Sequence, residues 1–154
     1  MNNTKRIRVI AICVFRHEDS IFVGEGIDDV KQESFYRPLG GGVEFGETGR
    51  DAIVREIAEE INAGICALRY IETIENIFVH NGQPMHEIVL VYEGQFSDDS
   101  YYDSSGSIVG DEEGMAFKAT WVPLEEFRER KKILYPSGLL ELLDRKAEGP
   151  GETL

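Results

Sequence analysis

Val9, Ile10, Ala11, Ile12, Cys13 and Val14 run without a polar interruption into Phe15. A strand sends alternate side chains to opposite faces, so a strand of this composition must be covered on both sides. Ile88-Val89-Leu90-Val91-Tyr92 makes the same demand. Both runs are too short to cross a bilayer. Three segments carry helical periodicity, at 48–61, 124–130 and 137–145. Doubly covered strands interleaved with helices predict an α/β fold: an α/β/α sandwich around a mixed β-sheet.

The remaining elements follow from local signals. His17-Glu18-Asp19-Ser20 reads as a turn and Ile21 to Gly24 as a short returning strand. Asp28 to Ser34 reads as polar loop, and Arg37-Pro38-Leu39-Gly40-Gly41-Gly42 as a turn with unusual backbone freedom. Leu68 to Val79 is a strand, expected to be bent, and Asn81-Gly82 is a strong hairpin signal. Asp98 to Gly114, rich in Asp, Ser, Gly and Glu, reads as a long surface loop before a strand from Phe117 to Val122. Pro123 and Pro136 precede the last two helices, where proline does little harm. Length and the lack of repeats predict one domain over residues 1–146, with a disordered tail at 147–154.

The net charge of −13, with no basic run to offset it, argues against a nucleic-acid partner. The chain carries no long apolar span and no signal-peptide pattern, so no membrane partner is expected. Cys13 and Cys66 lie far apart in apolar contexts and read as buried free thiols, which fits the cytoplasm. An acidic chain that acts on a small polyphosphate would need a cation to reverse the local field.

Wound at 3.6 residues per turn, Thr48 to Ile61 places Ile53, Ile57 and Ile61 on one apolar stripe with Val54 and Ala58 beside it. Glu56, Glu59 and Glu60 share roughly a 100° arc on another side, and Arg55 borders it. Asn62 stands where the helix should end, and Asn tolerates the left-handed cap. On an isolated helix such an arc is ordinarily a solvated face. Hard oxygen ligands at close quarters also select Mg²⁺ or Mn²⁺.

The context decides between these. Gly41, five residues, Glu47, seven residues, then Arg55-Glu56-Ile57-Ala58-Glu59-Glu60 resembles the Nudix box. Six Gly, Glu and Arg positions agree in register, a match with a chance on the order of 10⁻⁷ per starting point. The chain departs from the box at Asn62, where the family has Gly, and at Ala63, where it prefers a larger aliphatic. Neither position touches the carboxylates. Trp121-Val122-Pro123-Leu124 after a loop of acids is also similar to the family, although a lone Trp on a strand is ordinarily core.

The resemblance implies a metal-dependent hydrolase that cuts a pyrophosphate bond in a small nucleotide-like molecule by attack of water. It implies Mg²⁺ or Mn²⁺ held by Glu56, Glu59, Glu60 and the Gly40 carbonyl, with Glu47 and Arg55 orienting loop and helix. The family varies in its general base. Glu59 in the box and Glu112 or Glu113 in the acidic loop are the candidates, with Glu113 put forward. Arg37, just before the glycines, is placed to meet a phosphate, though an Arg before a Pro turn is more often plain surface. His80 and His86 have no metal-ligand spacing and read as exposed.

Nucleoside triphosphates, dinucleoside polyphosphates and nucleotide sugars stay open as substrates, and a homodimer is allowed for. Members that cut ADP-ribose tend to carry a proline soon after the box, and none lies between Gly64 and Gln83. The motif of the coenzyme A-cutting members is absent before the glycines, and the charge disfavours RNA decapping. The rival reading is a non-catalytic Nudix-fold nucleotide-binding or sensor domain. Such domains usually lose box acids, and this chain keeps Glu47, Glu56, Glu59 and Glu60. An acidic calcium module ranks last, because 98–113 does not put EF-hand ligands in register.

Overall fold

The structure, a computed structural model, describes residues 5–103 and 106–148. The apolar run becomes β1 (Ile7–His17), the hub of an 8-stranded mixed sheet. Along Ile7 to Phe15 it pairs in parallel with β6 (Gln83–Phe96). On its other side it pairs with two strands in turn: β4 (Leu39–Gly42) along Ile10 to Cys13, then β2 (Ser20–Asp28) at Arg16 and His17. The sheet therefore forks at β1. One wing carries β4, β6 and the edge strand β5 (Ile65–His80). The other carries β2 with β3 (Glu33–Arg37) and β8 (Met115–Pro123), and β7 (Ser107–Glu112) outside β8.

Both faces are covered, as the apolar runs require. Ile10, Ile12 and Val14 of β1 and Val89 and Val91 of β6 pack under Leu124 and Phe127 of α2 (Leu124–Arg128) and Leu139, Leu142 and Leu143 of α3 (Leu139–Glu148). Ala11, Cys13 and Phe15 face the other way, onto Ile53, Ile57 and Ile61 of α1 (Gly49–Ile61), with Trp121 in the same cluster. The Trp121 indole N–H donates to the Tyr101 carbonyl at 2.8 Å, which satisfies its polar atom inside the core.

Several local expectations need correction. The triple glycine is no turn: Gly40, Gly41 and Gly42 are strand, in register with Ile12, Ala11 and Ile10. Glycine is required there because a Cβ on Gly40, at φ +154°, would lie 2.0 Å from the Ala11 carbonyl oxygen. The stretch 98–114 is not all loop; it holds a 3₁₀ turn (Asp99–Tyr102) and β7, which is closed onto β8 by a tight turn at Glu113-Gly114. The supposed loop 28–34 is a hairpin tip, since β2 runs to Asp28 and β3 begins at Glu33. Of the last two helices, α2 stops at Arg128 rather than Arg130, and α3 starts at Leu139 rather than Ser137. Cys66 is exposed, on the irregular start of β5, while Cys13 is buried; both are free thiols. The helix α3 runs to Glu148, and residues 149–154 of the expected tail lie outside the described residues. Among the described residues no helix is long and apolar enough to cross a membrane.

Candidate active site

The box helix is held at both ends by its own sequence. Thr48 is the N-cap, its hydroxyl accepting from the Asp51 N–H at 3.1 Å. Asn62 ends the helix in the left-handed conformation, φ 56° and ψ 37°, with its N–H on the Ala58 carbonyl. The buried side of α1 differs from the expected stripe: Gly49, Ala52, Ile53, Ile57, Glu60 and Ile61 are buried, whereas Val54 is exposed. The carboxylate arc thus overlaps the buried face, and Glu60 lies inside it.

Arg55 organises the near side. Its Nε and Nη2 donate to the two Glu47 oxygens at 2.7 and 2.9 Å, a bidentate pair, and Nη2 also reaches the Gly42 carbonyl at 3.0 Å. The Nη1 atom donates to Glu56 at 3.0 Å and Glu59 at 3.3 Å. One guanidinium therefore ties helix, loop and β4 together, and the Glu47 carboxyl is lowered to about 2 by Arg55 first and by the Glu44 N–H second. The arc is not without a counter-charge, because Arg55 serves two of its three members.

Glu60 is served differently. It is 6% exposed, and its Oε1 has no hydrogen-bond partner. Burial pushes its carboxyl up to about 8, helped by Glu112 and Glu56 and opposed by Arg37 and the Gly40 N–H. Glu56 is raised as well, by burial first, against the pull of Arg55. A Cβ on Gly41 would sit 2.4 Å from the Glu56 carboxylate, so glycine is what lets that group lie against β4.

These groups line a cleft of 290 Å³ between α1, β4 and the β7–β8 hairpin, and it holds Glu44, Glu56, Glu59, Glu60, Asp111, Glu112 and Glu113. Among the described residues no three such side chains stand close enough to cage an ion as they are, since Arg55 draws Glu56 and Glu59 toward itself. The donors nonetheless fit a hard divalent cation. An orphaned buried carboxylate oxygen, further carboxylates beside it and a glycine-lined backbone are what such an ion takes up.

The two hairpin acids differ. Glu112 is 3.9 Å from Arg37 and acts electrostatically on both Glu56 and Glu60, whereas Glu113 occupies the turn itself, at φ 50°. Arg37 and Gly40 line the cleft together with these acids. His80 is half-buried rather than exposed, 3.6 Å from Asp28 and edge-on to Phe35, and His86 is partly buried. Arg8, Asn76 and Glu87 were not singled out from the sequence, yet they line a larger cavity that opens from the cleft. The available signal was a polar residue on strands that are otherwise apolar at neighbouring inward positions.

The comparisons bear on family and fold. The NUDIX domain model matches residues 4–142. Mutator protein MutT4 of Mycobacterium tuberculosis (strain CDC 1551 / Oshkosh) is 28% identical over 115 residues, 71% of this chain, and the chain spans 43% of that protein's length. A Nudix hydrolase from Nitrosomonas europaea superposes with TM-score 0.68 at 15% identity, over 94% of this chain and 90% of that one. An ADP compounds hydrolase superposes with TM-score 0.63 at 15% identity, over 95% and 76%. At these identities the solved structures establish the fold, and the domain model establishes the kinship. The chain belongs to the NUDIX domain family.

Proposed function

We propose that this protein hydrolyses a pyrophosphate bond in a nucleoside diphosphate-linked small molecule, with Mg²⁺ or Mn²⁺ as cofactor. The observation that carries the reading is the buried Glu60 carboxylate, one oxygen of which has no hydrogen-bond partner, in a cleft of further acids. A solvated surface would not bury it, and a structural ion pair would not leave it without a partner. Glu56, Glu59, Glu60 and the Gly40 carbonyl would hold the cation. When bound, it supplies positive charge where charge accumulates at phosphorus and makes water more acidic.

The protein's own residues divide the remaining work. Arg55 and Glu47 hold the Gly42 backbone and the helix in one register. Arg37 offers a guanidinium to a phosphate oxygen. We assign the general base to Glu112 ahead of Glu113, because Glu112 acts electrostatically on both Glu56 and Glu60, whereas Glu113 occupies the hairpin turn. Glu112 takes the proton as the water oxygen bonds to phosphorus, and the bridging oxygen departs with the leaving phosphate. Glu59 is the poorer candidate because Arg55 already engages it.

Nucleoside triphosphates, dinucleoside polyphosphates and nucleotide sugars remain the substrate classes, and the name of the ADP compounds hydrolase puts adenosine diphosphate compounds among them. The net charge of −13 supports a reading without nucleic-acid partners, the apolar runs are too short to suggest a membrane partner, and two free thiols suit the reducing cytoplasm. A panel of these compounds, assayed for released phosphate or pyrophosphate, is expected to give turnover with Mg²⁺ and none in excess chelator. Undiminished turnover in chelator would overturn the cation role. Tight binding without turnover on every compound would instead favour a sensor domain.

A further inference from the structure

The acidic cleft opens into a larger cavity of 440 Å³. Arg8, Arg37, Gly40, Glu60 and Glu112 line both spaces. A molecule with its phosphates at the carboxylates therefore extends the rest of itself into the larger space. Phe35, Phe78, Met85, Phe117 and Tyr135 make much of that wall aromatic or apolar.

One polar row crosses it. Strand register sets Arg8 of β1 beside Glu87 of β6, and Glu87 beside Asn76 of β5. Cross-strand partners face the same side of a sheet, so the three form a line. The rows on either side are apolar, Ile10–Val89–Ile74 and Met85–Phe78. Glu87 is 3% and Asn76 7% exposed. Burying a carboxylate and an amide costs free energy unless each finds a partner. Arg8 approaches Glu87 through one carboxylate oxygen at 3.5 Å. Among the described residues the Asn76 amide has no hydrogen bond.

We propose that Glu87 and Asn76 read the edge of a nucleobase whose exocyclic amino group stands beside a ring N–H, with the aromatic walls against its ring faces. A carboxylate only accepts, so Glu87 selects adjacent N–H donors, and the Asn76 amide donates to the neighbouring ring nitrogen or carbonyl. Guanine fills every position: N1–H and the 2-amino group on the two Glu87 oxygens, O6 on the Asn76 amide. Cytosine and adenine offer one donor, the amino group, beside a ring nitrogen, and uracil and hypoxanthine one donor, the ring N–H, beside a carbonyl, so each leaves one Glu87 oxygen unmet. The orientation of the ligand rests on the pyrophosphohydrolase reading, but recognition of the base is testable without turnover.

The test is calorimetric titration of the full chain, in chelator, with neutral nucleosides that the metal-free carboxylates do not repel. Guanosine is expected to bind about tenfold or more tighter than inosine, as loss of a hydrogen bond to a charged group requires. Glu87→Gln should bring guanosine and inosine together. Asn76→Ala should weaken both alike, because both carry O6. If Glu87→Gln does not fold, the guanosine-to-inosine ratio of the parent chain still decides. Equal binding of guanosine and inosine, or no binding of any nucleoside, overturns the proposal. Selective nucleoside binding with no turnover on any pyrophosphate compound would defeat the hydrolase reading and leave this one. Equal kcat/KM on GTP and ITP with equal nucleoside binding would do the reverse.

Discussion

Arg55 and Glu60 lie on one helix, and their charges are handled in opposite ways. The Arg55 guanidinium meets Glu47, Glu56, Glu59 and the Gly42 carbonyl, so its donors are used. Glu60 is more deeply buried, has an oxygen with no partner and sits among like charges. A paired group contributes to the fold as it stands. An unpaired buried group is tolerated only where something else completes it. The contrast separates scaffold from working surface along α1, and four substitutions probe it.

The largest effect is expected from the hairpin acid that faces Glu60. Glu112→Gln should lower kcat by about 10²-fold or more at saturating Mg²⁺, with nearly unchanged metal affinity, if Glu112 is the general base. Glu113→Gln should keep the parent rate. A Mg²⁺ titration on both variants checks this, and the opposite ranking would return the role to Glu113. Loss that extra Mg²⁺ rescues would instead make Glu112 a metal ligand.

Next comes the paired side. Lysine at position 55 keeps the charge but cannot serve two Glu47 oxygens and a carbonyl from one planar group. Arg55→Lys should lower kcat/KM by about 10- to 100-fold, the usual cost of losing a residue that orients ligands. It should also lower stability by about 2 kcal/mol in urea, because charge-assisted bonds are lost. Parent-like kinetics with lowered stability would reduce Arg55 to a structural clamp without bearing on the site.

How much of this was legible in the sequence varies by element. The box spacing places Arg55, Glu56, Glu59 and Glu60 on one helix, and Thr48 and Asn62 mark its ends. The doubly apolar runs identify β1 and β6. β7 escaped because Gly110, Asp111 and Glu112 are residues depleted in strands, and they are held as strand at the edge by pairing with β8. The β4 glycines escaped because they have no side chains to alternate, and only the close approach of β1 reveals them. The burial of Glu60 also lay beyond the sequence, since it depends on β4 and β7 closing over the helix. The Asn76–Glu87 row was readable in principle. The Asn81-Gly82 turn sets His80 opposite Gln83, and counting back along both strands brings Asn76 opposite Glu87. The irregularities of β5 lie further on, between Cys66 and Glu72, and do not disturb that count.

The smallest effect is the most direct probe of the contrast, because it needs neither substrate nor metal. Burial, with Glu112 and Glu56 nearby, pushes the Glu60 carboxyl up to about 8 in the folded chain, against 4.5 for an ordinary one. Between those values the folded chain keeps a proton that the unfolded chain has released, so this contribution to stability is present below the unfolded pKa and is lost as pH rises through the folded one. Glu56 is shifted in the same direction. Glu47 runs the other way. Lowered to about 2, its contribution is present above 4.5 and lost only as pH falls toward 2. A scan from about pH 5 to about pH 8 in chelator therefore isolates the unpaired side. The parent Tm should fall across it by at least about 4 °C. Glu60→Gln removes the buried charge, so its curve should be flatter and its Tm at the alkaline end higher than the parent's. Mg²⁺ should then raise the parent Tm at that end more than the variant's, because an ion that binds the folded chain stabilises it. A parent curve that stays flat in chelator would mean that Glu60 is not held unpaired, and the division of α1 into scaffold and working surface would fail with it.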